Sequence, residues 1–165
     1  MGATTMEKIT STLEKLTHSS RLLRHDPISF VQEDDFHWDH ENRTVFYDPS
    51  EPEAPSLLLH EAGHAILDHA EYPDDITLLA MERDAWKEAE MLAHDVGIKI
   101  PHELIEDALD TYRDWLHARS TCPNCHATGI QESEKLYTCL ACHHKWTVNE
   151  ARVCALRRHD ITKHS

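Results

Sequence analysis

No stretch of this 165-residue chain is long and apolar enough to cross a membrane, and no N-terminal leader is recognisable. Repeats and low-complexity tracts are lacking as well. A soluble, cytoplasmic protein with no membrane partner is therefore expected. Cations are scarce where most of the chain lies. Residues 26–120 hold 24 acids against 6 Lys/Arg, a balance of −18, while residues 1–25 and 121–165 are each +2. Such a segment repels nucleic acid and argues against a plain DNA-binding factor, although it could attract a basic partner. The blander use of an acidic surface is solubility. Near the C-terminus Arg152, Arg157, Arg158 and Lys163 could touch phosphate, a small footprint for nucleic acid. Cysteine is sparse too, with five residues, and four of them fall in two CxxC pairs. Without a secretion signal this spacing points to a reducing compartment and a metal, not to disulfides.

What is present is more specific. His60-Glu61-Ala62-Gly63-His64 is an HExxH motif inside a run that reads as one helix. Residues four apart on a helix share a face, so His60 and His64 can offer two imidazole nitrogens to one ion, with Glu61 beside them to handle a water proton. Ser50-Glu51-Pro52-Glu53 has the pattern of a capping box with proline in the first turn, and Pro73 with Asp74 and Asp75 is a stop. Between them Leu57, Leu58, Leu59, Ala62, Ala65, Ile66 and Leu67 make the helix apolar around most of its surface, which predicts burial. Two buried histidines and a carboxylate are costly without a cation. Gly63 is expected to allow a close approach of backbone or substrate.

A catalytic zinc takes three protein ligands and leaves one position open. The metzincin arrangement is excluded, because the positions it requires as glycine and histidine are Leu67 and Ala70. A second helix is expected over residues 76–96, with Leu78, Ala85, Ala89, Leu92 and Val96 as its apolar stripe. Glu82 falls inside that stripe, and an acid on a buried face needs a partner. Asp84, Glu88 and Glu90 lie off the stripe and read as solvated. His69 could reach a metal, but the end of the motif helix, where a histidine favours the dipole, is the preferred reading.

The run His60-Glu61-Ala62-Gly63-His64-Ala65-Ile66-Leu67-Asp68-His69, followed by Glu82-Arg83-Asp84-Ala85 and Ala89, resembles the ImmA/IrrE-type metallopeptidases of the gluzincin group. The resemblance covers about residues 28–98. It implies a strand, the motif helix and a second helix bearing an ExxA motif, with His60, His64 and Glu82 as zinc ligands and Glu61 as general base. That family often has an aromatic residue just before the second alanine, where this chain has Glu88, with Trp86 two positions earlier. The resemblance also implies a regulatory protease acting on a protein partner such as a repressor.

Upstream, Ile28-Ser29-Phe30-Val31, Phe36-His37-Trp38 and Thr44-Val45-Phe46-Tyr47 have strand character, with a turn at Asp39-His40-Glu41-Asn42. By analogy with zincins, Thr44, Val45, Phe46 and Tyr47 could bind an extended substrate by strand addition; a purely structural sheet is an equal reading. His94 and Tyr47 are the candidates for stabilising an oxyanion. Downstream, Cys122-Pro123-Asn124-Cys125 and Cys139-Leu140-Ala141-Cys142 would close a structural zinc site of four cysteines, flanked by strands of a ribbon. His126 and His143 follow the two pairs and could substitute as ligands. A first helix over residues 5–23, with Ile9, Leu13, Leu16 and Leu23 on one side, is expected to pack on the domain. A helix opened by Pro101 presents Leu104, Ala108, Tyr112 and Trp115, and Arg119-Ser120-Thr121 reads as a short linker. A terminal helix over residues 149–158 would bury Cys154.

The expectation is an α+β protein: a zincin-like domain over residues 1–118, then a zinc ribbon with a terminal helix over residues 119–165. Two zinc ions are implied, one catalytic and one structural. Its ribbon would recognise a partner protein, such as a DNA-binding regulator, or its DNA. The alternatives are a non-proteolytic zinc-binding module and a SprT-like protease acting on DNA-bound proteins, which takes a downstream histidine as third ligand.

Overall fold

The computed structural model describes residues 5–18, 27–149 and 158–160. The protein is mixed α+β, with four helices and two small sheets among the described residues: α1 (Thr5–His18), β1 (Ser29–Gln32), β2 (His37–Asp39), β3 (Thr44–Tyr47), α2 (Ala54–Ile66), α3 (Asp75–Val96), α4 (His102–Ser120), β4 (Gly129–Ser133), β5 (Leu136–Cys139), β6 (Lys145–Val148) and β7 (Arg158–Asp160). It forms two compact units, Met1–Glu71 with Met81–Ile105, and Tyr72–Ala80 with Glu106–Ser165. No described helix is long and apolar enough to cross a membrane.

In the first unit, α1, β2 and β3 all pack against α2. Met6, Ile9 and Leu13 give α1 its buried side, helped by Thr17, whose hydroxyl bonds back to the Glu14 carbonyl at 3.1 Å. Leu23 of the expected stripe lies outside the described residues. The sheet has the order β1-β3-β2, with β1 parallel and β2 antiparallel to β3. The β2–β3 hairpin turns as expected, closed by Asn42 on the Asp39 carboxylate and by Arg43 in the left-handed region (φ 50°). The strand-addition role expected for Thr44–Tyr47 requires a free edge, and β3 has none, because β1 and β2 occupy both sides.

Helix α2 buries Leu58, Leu59, Ala62 and Ala65 together with His60 and His64, as its apolar composition requires. The expected capping box does not form. The Ser50 hydroxyl instead donates to Asp48 at 2.7 Å, the residues before Ala54 form a turn, and Glu53 occupies the cap without a side-chain bond. A carboxylate two residues away competes successfully for that serine.

The second unit holds a small sheet of order β4-β5-β6-β7, antiparallel throughout. Its core is Cys122, Tyr137, Cys139, Trp146 and Val148, with the Tyr137 and Trp146 rings stacked 5.6 Å apart. Gly129 is required there, since a Cβ would stand 2.8 Å from the Thr138 carbonyl oxygen and closer still to the Trp146 ring. Arg158 belongs to strand β7 and not to the expected terminal helix; Cys154 lies outside the described residues. Helix α4 continues through the expected linker to Ser120. The reason is Arg119, which is fully buried in an ion pair with Asp75, its Nε 2.6 Å from Oδ2. The Tyr137 hydroxyl donates to the same carboxylate oxygen, and Arg119 also reaches the Asn149 carbonyl and lies 4.4 Å over the Trp115 ring.

Candidate metal centres

Among the described residues two groups could hold a metal ion: His60, His64 and Glu82 in the first unit, and the four cysteines in the second. The first group is assembled by two helices. His60 and His64 project from one face of α2, four residues apart, and Glu82 comes from α3. The helices approach so closely that a Cβ on Gly63 would stand 3.2 Å from the Ala85 carbonyl carbon and well inside 3.0 Å of its oxygen. The close approach expected of Gly63 is therefore to backbone, and it falls between the two histidines on one side and one turn from Glu82 on the other.

The donors converge. His60 Nε2 lies 3.2 Å from His64 Nε2 and 3.2 Å from Glu82 Oε2, and His64 Nε2 lies 3.6 Å from the same oxygen. Donors about 2.1 Å from a shared ion at tetrahedral angles would stand about 3.4 Å apart, so this triangle has the size of one tetrahedral face. All three residues are buried. Burial alone would raise the Glu82 carboxyl, but hydrogen bonds from both imidazoles and their charge outweigh it and hold it below the ordinary carboxylate range. The arrangement suits a cation.

Glu61 follows His60 on α2 and keeps part of its surface open. Burial raises its carboxyl; the His60 and His64 imidazoles act against that rise, Glu82 adds to it, and His37 of β2 lowers it. A proton acceptor must be ionised, and a divalent ion held by the neighbouring residues would favour the ionised form.

The two histidines are steadied differently. The His60 ring stacks on Trp86 at 4.2 Å and 23°, and its buried Nδ1 has no hydrogen-bond partner among the described residues. His64 has its Nδ1 2.8 Å from Nδ1 of His69. Helical periodicity does not mark Trp86 for this site, and it leaves His69 at the helix end as a residue that could reach a metal. Helix α2 ends at Ile66, short of His69, because Asp68 takes the left-handed conformation (φ 54°). Glu88, expected to be solvated, is half-buried, and burial with Asp95 nearby raises its carboxyl.

The other candidates stand apart. His94 is exposed beside Asp95, and twelve residues of helix put it about 18 Å along the axis from Glu82. Tyr47 is buried in β3. Phe46 stacks on His37 at 4.5 Å, a contact that orders the hairpin.

The four-cysteine group is built from two matching knuckles. The His126 amide donates to the Cys122 carbonyl at 3.0 Å and the Cys122 amide to the Ala127 carbonyl at 2.9 Å. His143 and Cys139, and Cys139 and His144, repeat the pair at 3.0 and 2.9 Å. His126 and His143 are the left-handed residues of these turns (φ 61° and 59°), exposed and outside the four-sulfur group, so they shape the knuckles without joining the ligands. Cys122 Sγ lies 3.7 Å from Cys142 Sγ, and Cys125 Sγ 3.4 Å from Cys139 Sγ. Sulfurs about 2.3 Å from a tetrahedral ion would be about 3.8 Å apart. Hydrogen bonds from Asn124 and the His144 amide pull Cys142 down to about 6, while hydrogen bonding with the other cysteines leaves Cys125 pushed up to about 12, against the lowering effect of the Ala127 amide. The four sulfurs at this spacing could hold one metal ion between them.

The chain matches no family model, no curated protein and no solved structure.

Proposed function

We propose that the first unit is a zinc metallopeptidase of the ImmA/IrrE-like gluzincin type and that the second is a zinc ribbon. The observation that carries this reading is the buried triangle of His60 Nε2, His64 Nε2 and Glu82 Oε2, with edges of 3.2, 3.2 and 3.6 Å and Glu61 next in sequence to one corner. Two imidazoles and one carboxylate are the donor set of open catalytic zinc sites, whereas four cysteines make a closed, structural one. Zinc in the open site would supply Lewis acidity and lower the pKa of a water molecule. Glu61 takes the proton of the attacking water and delivers it to the departing amine, alternating between base and acid. Trp86 and the Gly63–Ala85 contact hold His60 and the α2–α3 spacing, so the donors are arranged before substrate arrives.

The substrate on this reading is a segment of a partner protein, and the excess of acids over residues 26–120 favours a basic one. The role is regulatory and intracellular, with the ribbon recognising the partner or its DNA. A SprT-like site would recruit a downstream histidine, and the exposure of His94 gives that alternative no support. The test is metal content and peptide hydrolysis together. Wild type should hold two zinc per chain and His60→Ala/His64→Ala one. Glu82→Ala should lose the motif zinc while His94→Ala keeps it. Glu61→Gln should keep both ions and lose about 10²–10⁴-fold in hydrolysis. Unchanged cellular effect in Glu61→Gln would turn the reading towards a non-proteolytic module.

A further inference from the structure

We infer that His69 is a positioning residue for the metal centre, holding His64 through its Nδ1 by way of the C-terminal cap of α2; the inference rests on the proposed metal site. The cap has the Schellman pattern. The Asp68 amide donates to the Ala65 carbonyl at 3.2 Å, and the His69 amide donates to the His64 carbonyl at 3.0 Å. These are the two bonds that close a helix when the residue after the cap is left-handed, and Asp68 at φ 54° is that residue. The motif brings the side chains at the positions of His64 and His69 together, usually as an apolar contact. Here that contact is between two imidazoles, Nδ1 to Nδ1 at 2.8 Å, with rings 4.9 Å apart and steeply inclined.

The chemistry follows from the ligand role of His64. A neutral imidazole carries one N–H. With the Nε2 lone pair turned to the cation, the proton must be on Nδ1, and His69 Nδ1 accepts it. A hydrogen bond of this kind fixes both the tautomer and the ring orientation of a ligating histidine.

The cap is itself braced from the hairpin. Arg43 Nη1 donates to Asp68 Oδ1 at 2.8 Å, His40 Nε2 lies 3.5 Å from the same oxygen, and the Trp38 indole donates to the His69 carbonyl at 2.9 Å. An aspartate in the left-handed region is thus paid for by an ion pair, and the residue after it is tied at both its amide and its carbonyl. Among the described residues His60 Nδ1 has no such partner, which makes His64 the ligand fixed by hydrogen bonding.

The test is cobalt binding to the full-length protein, with the ribbon site loaded with zinc. Affinity is read by competition with a chelator, and the visible spectrum reports the coordination. His69→Phe, which keeps the ring but no acceptor, should weaken cobalt at the motif site about 10–100-fold and alter its spectrum. His69→Gln, whose amide oxygen can accept the His64 proton, should restore at least part of the affinity. Thermal unfolding of each variant separates loss of the hydrogen bond from loss of the fold. If wild type takes up cobalt that His60→Ala/His64→Ala does not, and His69→Phe binds it with the same affinity and spectrum, the inference is overturned while the metal site stands. Equal weakening in Phe and Gln variants with a matching fall in Tm overturns it too, as a merely structural role. If wild type takes up no cobalt at all, the proposed site fails and the inference with it.

Discussion

Gly63→Ala isolates the helix contact that sets the geometry of the open site. In an isolated helix this change stabilises by about 1 kcal/mol, because alanine restricts the unfolded chain and glycine does not. Here the added methyl would stand 3.2 Å from the Ala85 carbonyl carbon, 3.3 Å from its Cα, and well inside 3.0 Å of its oxygen. These atoms are backbone and cannot rotate away. Helix α3 would have to retreat from α2 by roughly half an ångström or more to restore van der Waals contact, and overpacking of this kind costs about 1–3 kcal/mol. The net effect is a loss of up to about 2 kcal/mol. The same retreat acts on the metal site. Glu82 rides on α3 one turn before Ala85 and the histidines ride on α2, so the retreat opens the triangle directly. Metal–donor distances tolerate only about 0.2 Å, and an affinity loss of about tenfold or more is expected at the open site. The assay is chelator competition on untagged protein, with metal at the four-cysteine group as internal reference. Gly97→Ala serves as control, because Gly97 has φ 74° but nothing within 4 Å of a Cβ: it should lower stability and leave metal affinity alone. If Gly63→Ala melts higher than wild type and binds metal as tightly, the close approach does not exist and the argument from it is refuted.

Two further outcomes concern the second unit. Arg119→Ala leaves the Asp75 carboxylate buried with its ion pair broken and should destabilise the unit by about 3–5 kcal/mol, with Asp75→Ala similar and the double variant well short of the sum, measured by a double-mutant cycle in denaturant. Burial and the Asp75 carboxylate raise Tyr137 above its ordinary value of 10.0, so the folded state holds that proton more tightly than the unfolded state. Its contribution is complete below that value and lost as pH rises towards the folded one. Wild type should therefore lose more Tm than Tyr137→Phe between pH 9 and pH 11, roughly the window in which unfolded tyrosine titrates, and equal slopes would contradict the Asp75 hydrogen bond.

The open site was legible because helical periodicity encodes it locally. His60 and His64 are four apart, and Glu82 interrupts an apolar stripe at a spacing that leaves it facing inward. The CxxC pairs are local in the same sense, and both knuckles form as expected. What the sequence hid depends on partners far along the chain. Arg119 looks like a linker residue until Asp75, 44 residues earlier, is beside it. The central position of β3 comes from a parallel pairing with β1, which no hairpin signal announces. Trp86 falls outside the narrow stripe that helical periodicity defines, whereas α3 is also buried along the side that meets His60. The cap of α2 was concealed by Asp68, since a glycine is the usual mark of that turn, and the ion pair to Arg43 substitutes for glycine's freedom.

These hidden supports bear on which ion each site selects. The −18 balance over residues 26–120 raises the local concentration of every divalent cation alike, so it cannot choose among them. Selection must come from the donor set and its rigidity. Imidazoles with one carboxylate disfavour calcium and magnesium, which prefer six or more oxygens. Among the transition ions they suit several, and the Irving–Williams order alone would favour copper over zinc. A triangle already held near the edge of a zinc tetrahedron by Gly63, Trp86 and His69 resists the square-planar arrangement copper prefers. Trp86 and His69, which periodicity does not mark, would then act with Gly63, which the sequence does mark, to bias the proposed site towards zinc.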